Sequence, residues 1–594
     1  MTRPRSTLPP ILAALALAAC GDDGTGTTDT AGTTATATTA TSNTSGGNTT
    51  GGGNTTAGTV TASGTVGESE SAGTTNATTG TTASTAGTTD ATTGTTASTD
   101  ATTGTTANTT AVDTTGTTGV DTTTGDPPFF GEIPETCDQA ELSKSTVGCL
   151  FYGIDMDSHD LAEGGQYAIA VANVQKNQSA TVTIERKQGG VWSIIAGPQT
   201  LNALGLGTFP LPDQHTDDSQ LGAGLAYRVK ADVPVIAYQF NPVDGATSYL
   251  SDAAMLYPVT AWDSINHAIT FTSTTDNTNT PQRAYASAVA FADGTKVKVT
   301  PKVPTKAGNG VPAGQPGVPF EVTLNEGDVL SVAVANIGTS LSGTIFESPK
   351  EQPIALFAGI ECALIPTNVC CCDHVEEQIA GVRLWGKNFV AARQPVRNAA
   401  MPETTLWQLY GAEDNTTVTL VADAQVTGLP PNPIKLNKGQ VVEFYAGGPA
   451  AEPGDFEVTA DKPIGVMNYM TGSENMPAPY SQTGDPASVQ IPSVEQFLPR
   501  YVVLVPGTWV NDIGVFVRME GATVTIDGVA IPDASFNPVG NSGFEVARVP
   551  LGDGVHVLDG NDVPFGVVVV GYDQWDSYAY LGGTGTKIVN PLPQ

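Results

Sequence analysis

Four stretches of the chain alternate between an aliphatic residue and a polar one. They are NQSATVTI (177–184), ADGTKVKV (292–299), EDNTTVTL (413–420) and EGATVTI (520–526). Apolar side chains at every second position line one face of a strand, so each stretch predicts a half-buried β-strand. Val182, Val297, Val418 and Val524 are 115, 121 and 106 residues apart, which indicates an internal repeat.

Two further patterns accompany each alternating stretch. A strand with a Gly-centred turn follows it, at 204–211, 324–332, 436–444 and 551–558. A continuously apolar run that begins at a proline comes next, at 233–240, 352–359, 462–469 and 563–571. Such a run suits a strand that is buried on both faces. Proline fits the first strand position, where no hydrogen-bond donor is needed.

These patterns predict an all-β fold, because no stretch shows a convincing helical stripe. The repeats cover approximately 150–256, 257–378, 379–490 and 491–594, and each holds enough short strands for one sandwich. We therefore expect tandem β-sandwich-like modules. The alternative is a propeller-like ring, in which the strand near Tyr578–Leu581 closes against the first repeat.

The N-terminal part of the chain has a different character. Residues 1–19 combine Arg3 and Arg5 with a short apolar stretch and small residues, which predicts a signal peptide. Cys20 follows directly, as in a bacterial lipobox, so we expect it to be lipidated. The residue after Cys20 is Gly21 and not the aspartate that is typical of inner-membrane retention. We therefore expect placement in the outer membrane. Residues 20–127 are rich in Thr, Gly and Ala, and they predict a disordered stalk that raises the body (128–594) above the membrane.

Charge narrows the choice of partners. The chain carries 25 Lys and Arg against 59 Asp and Glu, which gives a formal net charge of −34. Nucleic acid is excluded as a partner of the body, because two polyanions repel one another. The membrane is expected as a partner only through the lipid anchor.

Six cysteines besides Cys20 form two groups. In an exported chain an even number predicts disulfides, with Cys137 pairing with Cys149 and Cys362 with one of Cys370, Cys371 and Cys372. The segment CCCDHVEEQ (370–378) also contains metal-ligand residue types. It lacks the second spaced pair of a zinc site, so a disulfide-stapled loop is favoured over a metal centre.

A second acidic segment is a candidate Ca²⁺ site. Asp155, Asp157 and Asp160 alternate in GIDMDSHD (153–160), and Asp213, Asp217 and Asp218 form another acidic loop. Carboxylate oxygens are the ligands that Ca²⁺ prefers, but the Gly and distal Glu of an EF-hand loop are missing. The simpler interpretation is a set of solvated turn residues. No other cofactor is indicated.

Several segments resemble the N-terminal domain of the IgG-Fc-binding protein family. They include GCLFYGIDMD (148–157), AYRVKADVPVIAYQFNP (226–242), CDHVEEQ (372–378), LWQLYGAEDNTTVTL (406–420) and SVEQFLPRYVVLVP (493–506). The Cys-x-His-Val-x-Glu-Gln element is the most specific, so Cys372, His374, Glu377 and Gln378 form a family signature without an assigned role. The resemblance implies recognition or adhesion on a bacterial cell surface.

The expected function is therefore that of an adhesin-like lipoprotein that binds a glycan, matrix or protein partner. One alternative is a structural envelope protein or self-associating scaffold. A polysaccharide hydrolase is a third hypothesis, since acidic pairs are plentiful. No catalytic residue is assigned, because the chain lacks the G-x-S-x-G, H-E-x-x-H and P-loop motifs and its five histidines are scattered.

Overall fold

The computed structural model describes residues 127–243, 250–276, 278–451 and 453–591. The predicted signal peptide, the lipidation site Cys20 and the stalk up to residue 126 lie outside the described residues. Strands dominate the described part, so the all-β prediction is confirmed. Helix α1 (Cys137–Ser143) is capped by Thr136, whose hydroxyl accepts the backbone N–H of Gln139 at 3.2 Å. No described helix is long and apolar enough to cross a membrane.

The first set of strands is called module 1. Its strands are β1 (Gly148–Gly153), β2 (Ala168–Asn173), β3 (Ala180–Gln188), β4 (Val191–Leu201), β5 (Leu206–Pro210), β6 (Gln220–Gly222), β7 (Tyr227–Asn241) and β8 (Asp252–Met255). The long strand β7 pairs with β1 and β3 through its first half and with β2 and β8 through its second half. It therefore belongs to both layers of the module, while β6 joins a sheet of the next module.

Module 2 follows a short 3-10 helix at Val259–Ala261. Its strands are β9 (Ile265–His267), β10 (Thr274–Thr275), β11 (Pro281–Gln282), β12 (Ala284–Ala290), β13 (Thr295–Thr300), β14 (Phe320–Leu324), β15 (Val329–Ala333), β16 (Ile345–Glu347), β17 (Ile354–Ala363) and β18 (Asp373–Ile379). They form the sheets β14-β13-β16-β9 and β18-β17-β12-β15-β6, beside the small hairpin β10-β11.

Module 3 follows a 3-10 helix at Val382–Leu384. Its strands are β19 (Asn388–Ala391), β20 (Thr405–Gly411), β21 (Thr416–Ala422), β22 (Ile434–Leu436), β23 (Val441–Ala446), β24 (Phe456–Ala460), β25 (Ile464–Tyr469) and β26 (Ser488–Gln490). The sheets are β19-β24-β21-β22 and β23-β20-β25-β26. A further 3-10 helix lies at Ser473–Asn475.

Module 4 follows a 3-10 helix at Val494–Gln496 and contains another at Asp533–Ser535. Its strands are β27 (Arg500–Val505), β28 (Asn511–Met519), β29 (Thr525–Ile526), β30 (Val529–Ala530), β31 (Phe536–Pro538), β32 (Phe544–Pro550), β33 (Gly554–Asp559), β34 (Gly566–Asp573) and β35 (Asp576–Leu581). The sheets are β27-β33-β29-β30 and β31-β32-β28-β34-β35.

One pairing order recurs in all four modules. The strands are counted here without β6, the hairpin β10-β11 and β31, and β7 counts as both the sixth and the seventh strand of module 1. With this count, one layer joins the fourth, third, sixth and first strands of each module, and the other joins the fifth, second, seventh and eighth. The alternating stretches become the third strand, as in β13, where alternate side chains are buried. The apolar runs become the seventh strand, as in β17, where every residue is buried.

Two local expectations in module 4 are wrong. The alternating stretch 520–526 yields only the two-residue strand β29, because Glu520 and Gly521 belong to a turn in which Ala522 N–H donates to the Met519 carbonyl. The segment 551–558 was expected to match the Gly-turn strands of the other repeats. It forms β33, which pairs with β27 and β29, and the matching position belongs to β32.

The cores lie between the two layers of each module. In module 2, Val297 and Val299 of β13 belong to the same buried cluster as Leu356 and Ile360 of β17. Burial of apolar area at about 25 cal/mol per Å² is the main stabilising contribution of such a cluster. The sandwich interpretation therefore describes the individual module.

The four modules also close into a ring. The eighth strand of each module lies next to the eighth strands of two others, so that β8, β18, β26 and β35 contact one another in a closed cycle. The C-terminal segment completes the closure, since Thr584 N–H donates to the Thr146 hydroxyl at 3.1 Å and Gly585 forms a β-bridge with Ser145. The closure of Tyr578–Leu581 against the first repeat, expected only for a ring, is thus present alongside sandwich modules.

Aromatic packing supports this closure. Tyr580 of β35 is fully buried, and its ring lies 4.5 Å from that of Tyr238 in β7 and 5.0 Å from that of Tyr578. Its hydroxyl donates to the Leu504 carbonyl at 2.6 Å. One side chain therefore joins module 4 to module 1.

Replacing Tyr580 with alanine should lower the free energy of unfolding by about 3–5 kcal/mol, because it leaves a cavity where modules 1 and 4 meet. Urea denaturation followed by tryptophan fluorescence measures this loss. The matched control is Tyr480→Ala, at a side chain that is 37% exposed, and this variant should stay within about 0.5 kcal/mol of the native protein. Equal midpoints for the two variants would contradict the proposed closure.

Candidate functional site

The predicted signature residues lie in β18, one of the four central strands. His374, Glu377 and Gln378 are all buried there, and Cys372 directly precedes the strand. Cys372 is bonded to Cys362, and Cys137 is bonded to Cys149. The expected disulfide-stapled loop is therefore present in the structure.

The signature glutamine joins neighbouring modules. Gln378 accepts the Tyr257 N–H at 2.7 Å, and Gln490 at the corresponding position of β26 accepts the Ala380 N–H at 2.8 Å. Tyr257 and Ala380 lie at the starts of the connections into modules 2 and 3. In both connections a tryptophan donates its indole N–H back to the same residue, Trp262 at 3.1 Å and Trp385 at 2.8 Å. These hydrogen bonds hold the connections into modules 2 and 3 against the central strands β18 and β26.

Buried carboxyl groups surround the central strands. We call Asp252, Asp373, Glu376, Glu377, Asp485 and Asp576 the axis cluster, and all six are buried. Asp252 is the most connected member, because it accepts the N–H of Glu376 at 3.1 Å and that of Ser488 at 3.2 Å. Since these donors lie in β18 and β26, one carboxyl group links three modules.

Other members of the axis cluster contact polar side chains of their surroundings. Glu376 accepts from the Gln239 amide at 3.1 Å and lies 3.4 Å from the His374 imidazole. Asp576 accepts from the Ser251 hydroxyl at 2.8 Å and 3.0 Å. Both oxygens of Asp373 lack a side-chain or backbone donor within hydrogen-bond geometry in the described part. Such burial favours the neutral acid over the carboxylate.

Burial therefore shifts the titration of these groups. It raises the pKa of Asp373 well above its ordinary value, and the nearby Asp576, Asp485 and Asp252 raise it further. Burial likewise raises the pKa of Asp485 to about 7. His374 is shifted in the opposite sense, since burial lowers its pKa to about 4. Because all six acidic side chains are buried, they are not placed to contact an external ligand directly.

The predicted acidic loops meet on module 1. The loop after β1 carries Asp155 and Asp157, whose carboxylates accept the backbone N–H groups of Gln214 at 2.9 Å and Asp218 at 2.8 Å. The backbone carbonyl of Asp157 accepts the Tyr285 hydroxyl at 2.5 Å. Asp155 and Asp157 are thus buried latches that hold the loop of residues 213–218 in place.

Neighbouring acidic groups remain at the surface. Asp160, Asp213 and Asp217 are exposed, and Leu161 beside them is 55% exposed. We call these four residues the acidic loop cluster. His215 adjoins it, with its imidazole 2.7 Å from the Asp213 carboxylate. The cluster presents three exposed acidic side chains and one exposed apolar side chain, on loops held together by buried hydrogen bonds.

The geometry gives no metal centre. Over the described ranges, no three His, Cys, Asp or Glu side chains are grouped as metal ligands. The Ca²⁺ site suggested for Asp155, Asp157 and Asp160 stays a prediction. In the structure, Asp155 and Asp157 each use one carboxyl oxygen to accept a backbone N–H group. The participation of Cys370 and Cys371 in disulfides also stays a prediction.

Sequence reasoning missed several functional neighbours. Asp252 and Asp485 carry no motif of their own, and only the alignment of the eighth strands places them at one axis. Glu361 was also missed, although burial raises its pKa to about 8 and it lies near Asp218. The signal that was available is position, because an acidic residue stands at or just before the eighth strand of every module.

Comparison with known proteins gives one family. A family model described as IgGFc binding protein matches residues 252–571, which begins at the first residue of β8 and ends within β34. A search of curated proteins finds no match. The matched range includes the central strands β8, β18 and β26, together with the whole of modules 2 and 3.

The buried acids predict a stability that falls in mild alkali. Their raised pKa values mean that the folded state holds protons that the unfolded chain releases, so stability decreases as pH rises through the folded pKa. Histidine acts oppositely, but only below its unfolded pKa of about 6.5. We therefore expect the thermal unfolding midpoint to fall between about pH 6.5 and about pH 8.5.

Asp373→Asn tests the assignment, because the amide cannot ionise. In this variant the free energy of unfolding should fall less steeply with pH, by about 1.4 kcal/mol per pH unit. The control is Asp461→Asn at a surface carboxyl whose pKa is lowered by the Thr417 N–H, and this variant should leave the alkaline slope in place. A slope that is unchanged in Asp373→Asn would show that the group is already ionised in the fold.

Proposed function

The chain belongs to the IgGFc-binding protein family, and on that premise we propose that it is a surface-anchored recognition protein that binds a protein partner through the acidic loop cluster. The family is one of binding domains rather than enzymes. The observation that carries the proposal is that Asp160, Leu161, Asp213 and Asp217 are exposed on two loops that buried hydrogen bonds hold together.

The chemistry of this surface favours a basic partner. Three exposed carboxylates attract a patch of Lys or Arg side chains over long range and raise the rate of encounter. Leu161 supplies apolar area at the same place, and contacts of this kind contribute to stability once the charges have aligned the partner. Because Asp155 and Asp157 already order the loops, little conformational entropy is lost on binding.

Anchoring by lipid at Cys20 is part of the same proposal. A diacylglycerol thioether there, with the Thr-rich segment as a spacer, would hold the body at the outer surface of a bacterial cell. A protein partner is favoured over a glycan or matrix polymer, because the charged cluster lacks the row of exposed aromatic rings that sugars commonly stack on. Intact mass of the membrane-extracted protein tests the anchor, with the chain starting at Cys20 plus acyl groups as the expected result.

Binding is tested with the purified full chain and the triple variant Asp160→Asn, Asp213→Asn, Asp217→Asn. The first probe is the Fc fragment of immunoglobulin G, followed by a panel of basic extracellular proteins, each measured by surface plasmon resonance. We expect the variant to bind at least about tenfold more weakly at low ionic strength. That difference should shrink in about 1 M salt, where the screening length is about 3 Å.

The matched control neutralises three exposed acids elsewhere, in Glu351→Gln, Glu520→Gln and Asp553→Asn. This variant should bind like the native chain, since it changes the net charge equally but not the acidic loop cluster. Equal weakening of binding in both variants would show that the effect comes from net charge and not from the acidic loop cluster. Absence of any binding across the panel, together with concentration-dependent assembly in sedimentation, would favour the self-associating scaffold instead.

A further inference from the structure

A cleft between modules 3 and 4 contains an unusual concentration of positive charge. The segment between β19 and β20 supplies Arg393, Gln394 and Arg397, and the segment after β25 supplies Thr471. Tyr572 of β34 lies on the opposite side. The chain has a net charge of −34, so two arginines lining one cleft are unexpected.

The Arg393 side chain is only 1% exposed, and its hydrogen bonding is incomplete. One terminal nitrogen, Nη2, donates to the Glu403 carbonyl and lies 3.9 Å from the Glu403 carboxylate. Within the described chain, Nε and Nη1 have no acceptor. A buried guanidinium group with two unused donor atoms is costly, since buried charges are normally paired.

A second unused donor lies in the same cleft. Gln394 is 4% exposed, and its Oε1 accepts the Thr405 hydroxyl at 3.0 Å. The same Thr405 hydroxyl also lies 2.6 Å from the Tyr469 carbonyl, and Gln394 Nε2 has no acceptor among the described residues. Arg393 therefore presents two donor atoms without partners, beside one unpartnered atom of the Gln394 amide.

The neighbouring ion pairs do not neutralise Arg393. Arg397 is paired with Glu403, with 3.0 Å between Nε and Oε1. Arg548 is paired with Asp455, with 2.6 Å between Nη2 and Oδ1. Three guanidinium groups thus share the two carboxylates of these pairs, which leaves Arg393 without a closely paired carboxylate of its own. Burial lowers the pKa of Arg393, as expected where the countercharge is insufficient.

We propose that this cleft binds a small monovalent anion as the countercharge of Arg393. The cleft is small, so the ligand is a single-atom anion or one oxygen of a carboxylate rather than a bulkier group. Sulfate and phosphate are too large for that space. The site is independent of the acidic loop cluster and goes beyond the proposed recognition function.

Two sources share this chemistry, a free halide and the carboxylate of an organic acid. Chloride and acetate are therefore titrated separately into the full chain at matched ionic strength, with sulfate as the third salt. Sulfate stabilises proteins generally, because it is excluded from their surfaces. A site-specific effect must therefore appear with chloride or acetate and exceed that of sulfate.

The direct readout is the ³⁵Cl NMR line width, which increases when chloride exchanges with a protein site. We expect broadening by the native chain, loss of it in Arg393→Gln, and its retention in the control Arg228→Gln. Arg228 is a partly buried arginine that is fully paired, since Glu185 and Glu326 lie 2.6 Å and 2.8 Å from it. If acetate rather than chloride is the ligand, acetate alone raises the unfolding midpoint, and only when Arg393 is present.

Gln394→Glu is the second variant, in case Arg393→Gln does not fold. It places a carboxylate in the cleft as a built-in countercharge. This variant should lose the chloride broadening and unfold at a higher temperature than the native chain in low salt. The proposal is overturned if Arg393→Gln or Gln394→Glu broadens the chloride line as the native chain does, or if the native chain responds to chloride and acetate no more than to sulfate.

Discussion

The structure depends on one constraint, the burial of four strands that are each the edge of their own sheet. Strands β8, β18, β26 and β35 each pair with a single neighbour, the seventh strand of the same module. Exposed edges of this kind invite pairing with other chains, and proteins protect them by covering or closing. Here the four edges cover one another, and the closed ring follows from that packing.

The acids at the axis are the consequence of this arrangement. Strand edges expose backbone N–H groups, and Asp252 accepts two of them, from Glu376 and Ser488. The module connections use amide oxygens for the same purpose, through Gln378 and Gln490. Polar side chains therefore satisfy the edges from within the ring, and their burial raises the pKa of carboxyl groups such as those of Asp252 and Asp373. Asp160, Asp213 and Asp217 lie instead on exposed loops, which form the proposed recognition surface.

The sequence predicts much of the fold and less of the sites. The alternating pattern around Val297 and the continuous apolar run at 352–359 both identify strands. In the first, one face of the strand is buried, and in the second both faces are, so the positions of apolar residues reveal the strand. The ring is harder to predict, since contacts between β35 and β8 join residues more than 300 positions apart. The signature glutamine Gln378 is visible in the sequence, but its partner Tyr257 is a backbone group without any sequence signal. The charged neighbours of Arg393 are likewise determined by the fold and cannot be identified from the sequence around it.

Amide hydrogen exchange of the full chain, followed by mass spectrometry, tests the ring most directly. Edge strands of independent sandwiches open locally and exchange quickly, whereas strands that bury one another must open together. The ring predicts that peptides from β8, β18, β26 and β35 exchange slowly and with one common opening free energy. Rapid exchange in β8 and β35, independent of β18 and β26, would contradict the closure and leave four separate sandwiches.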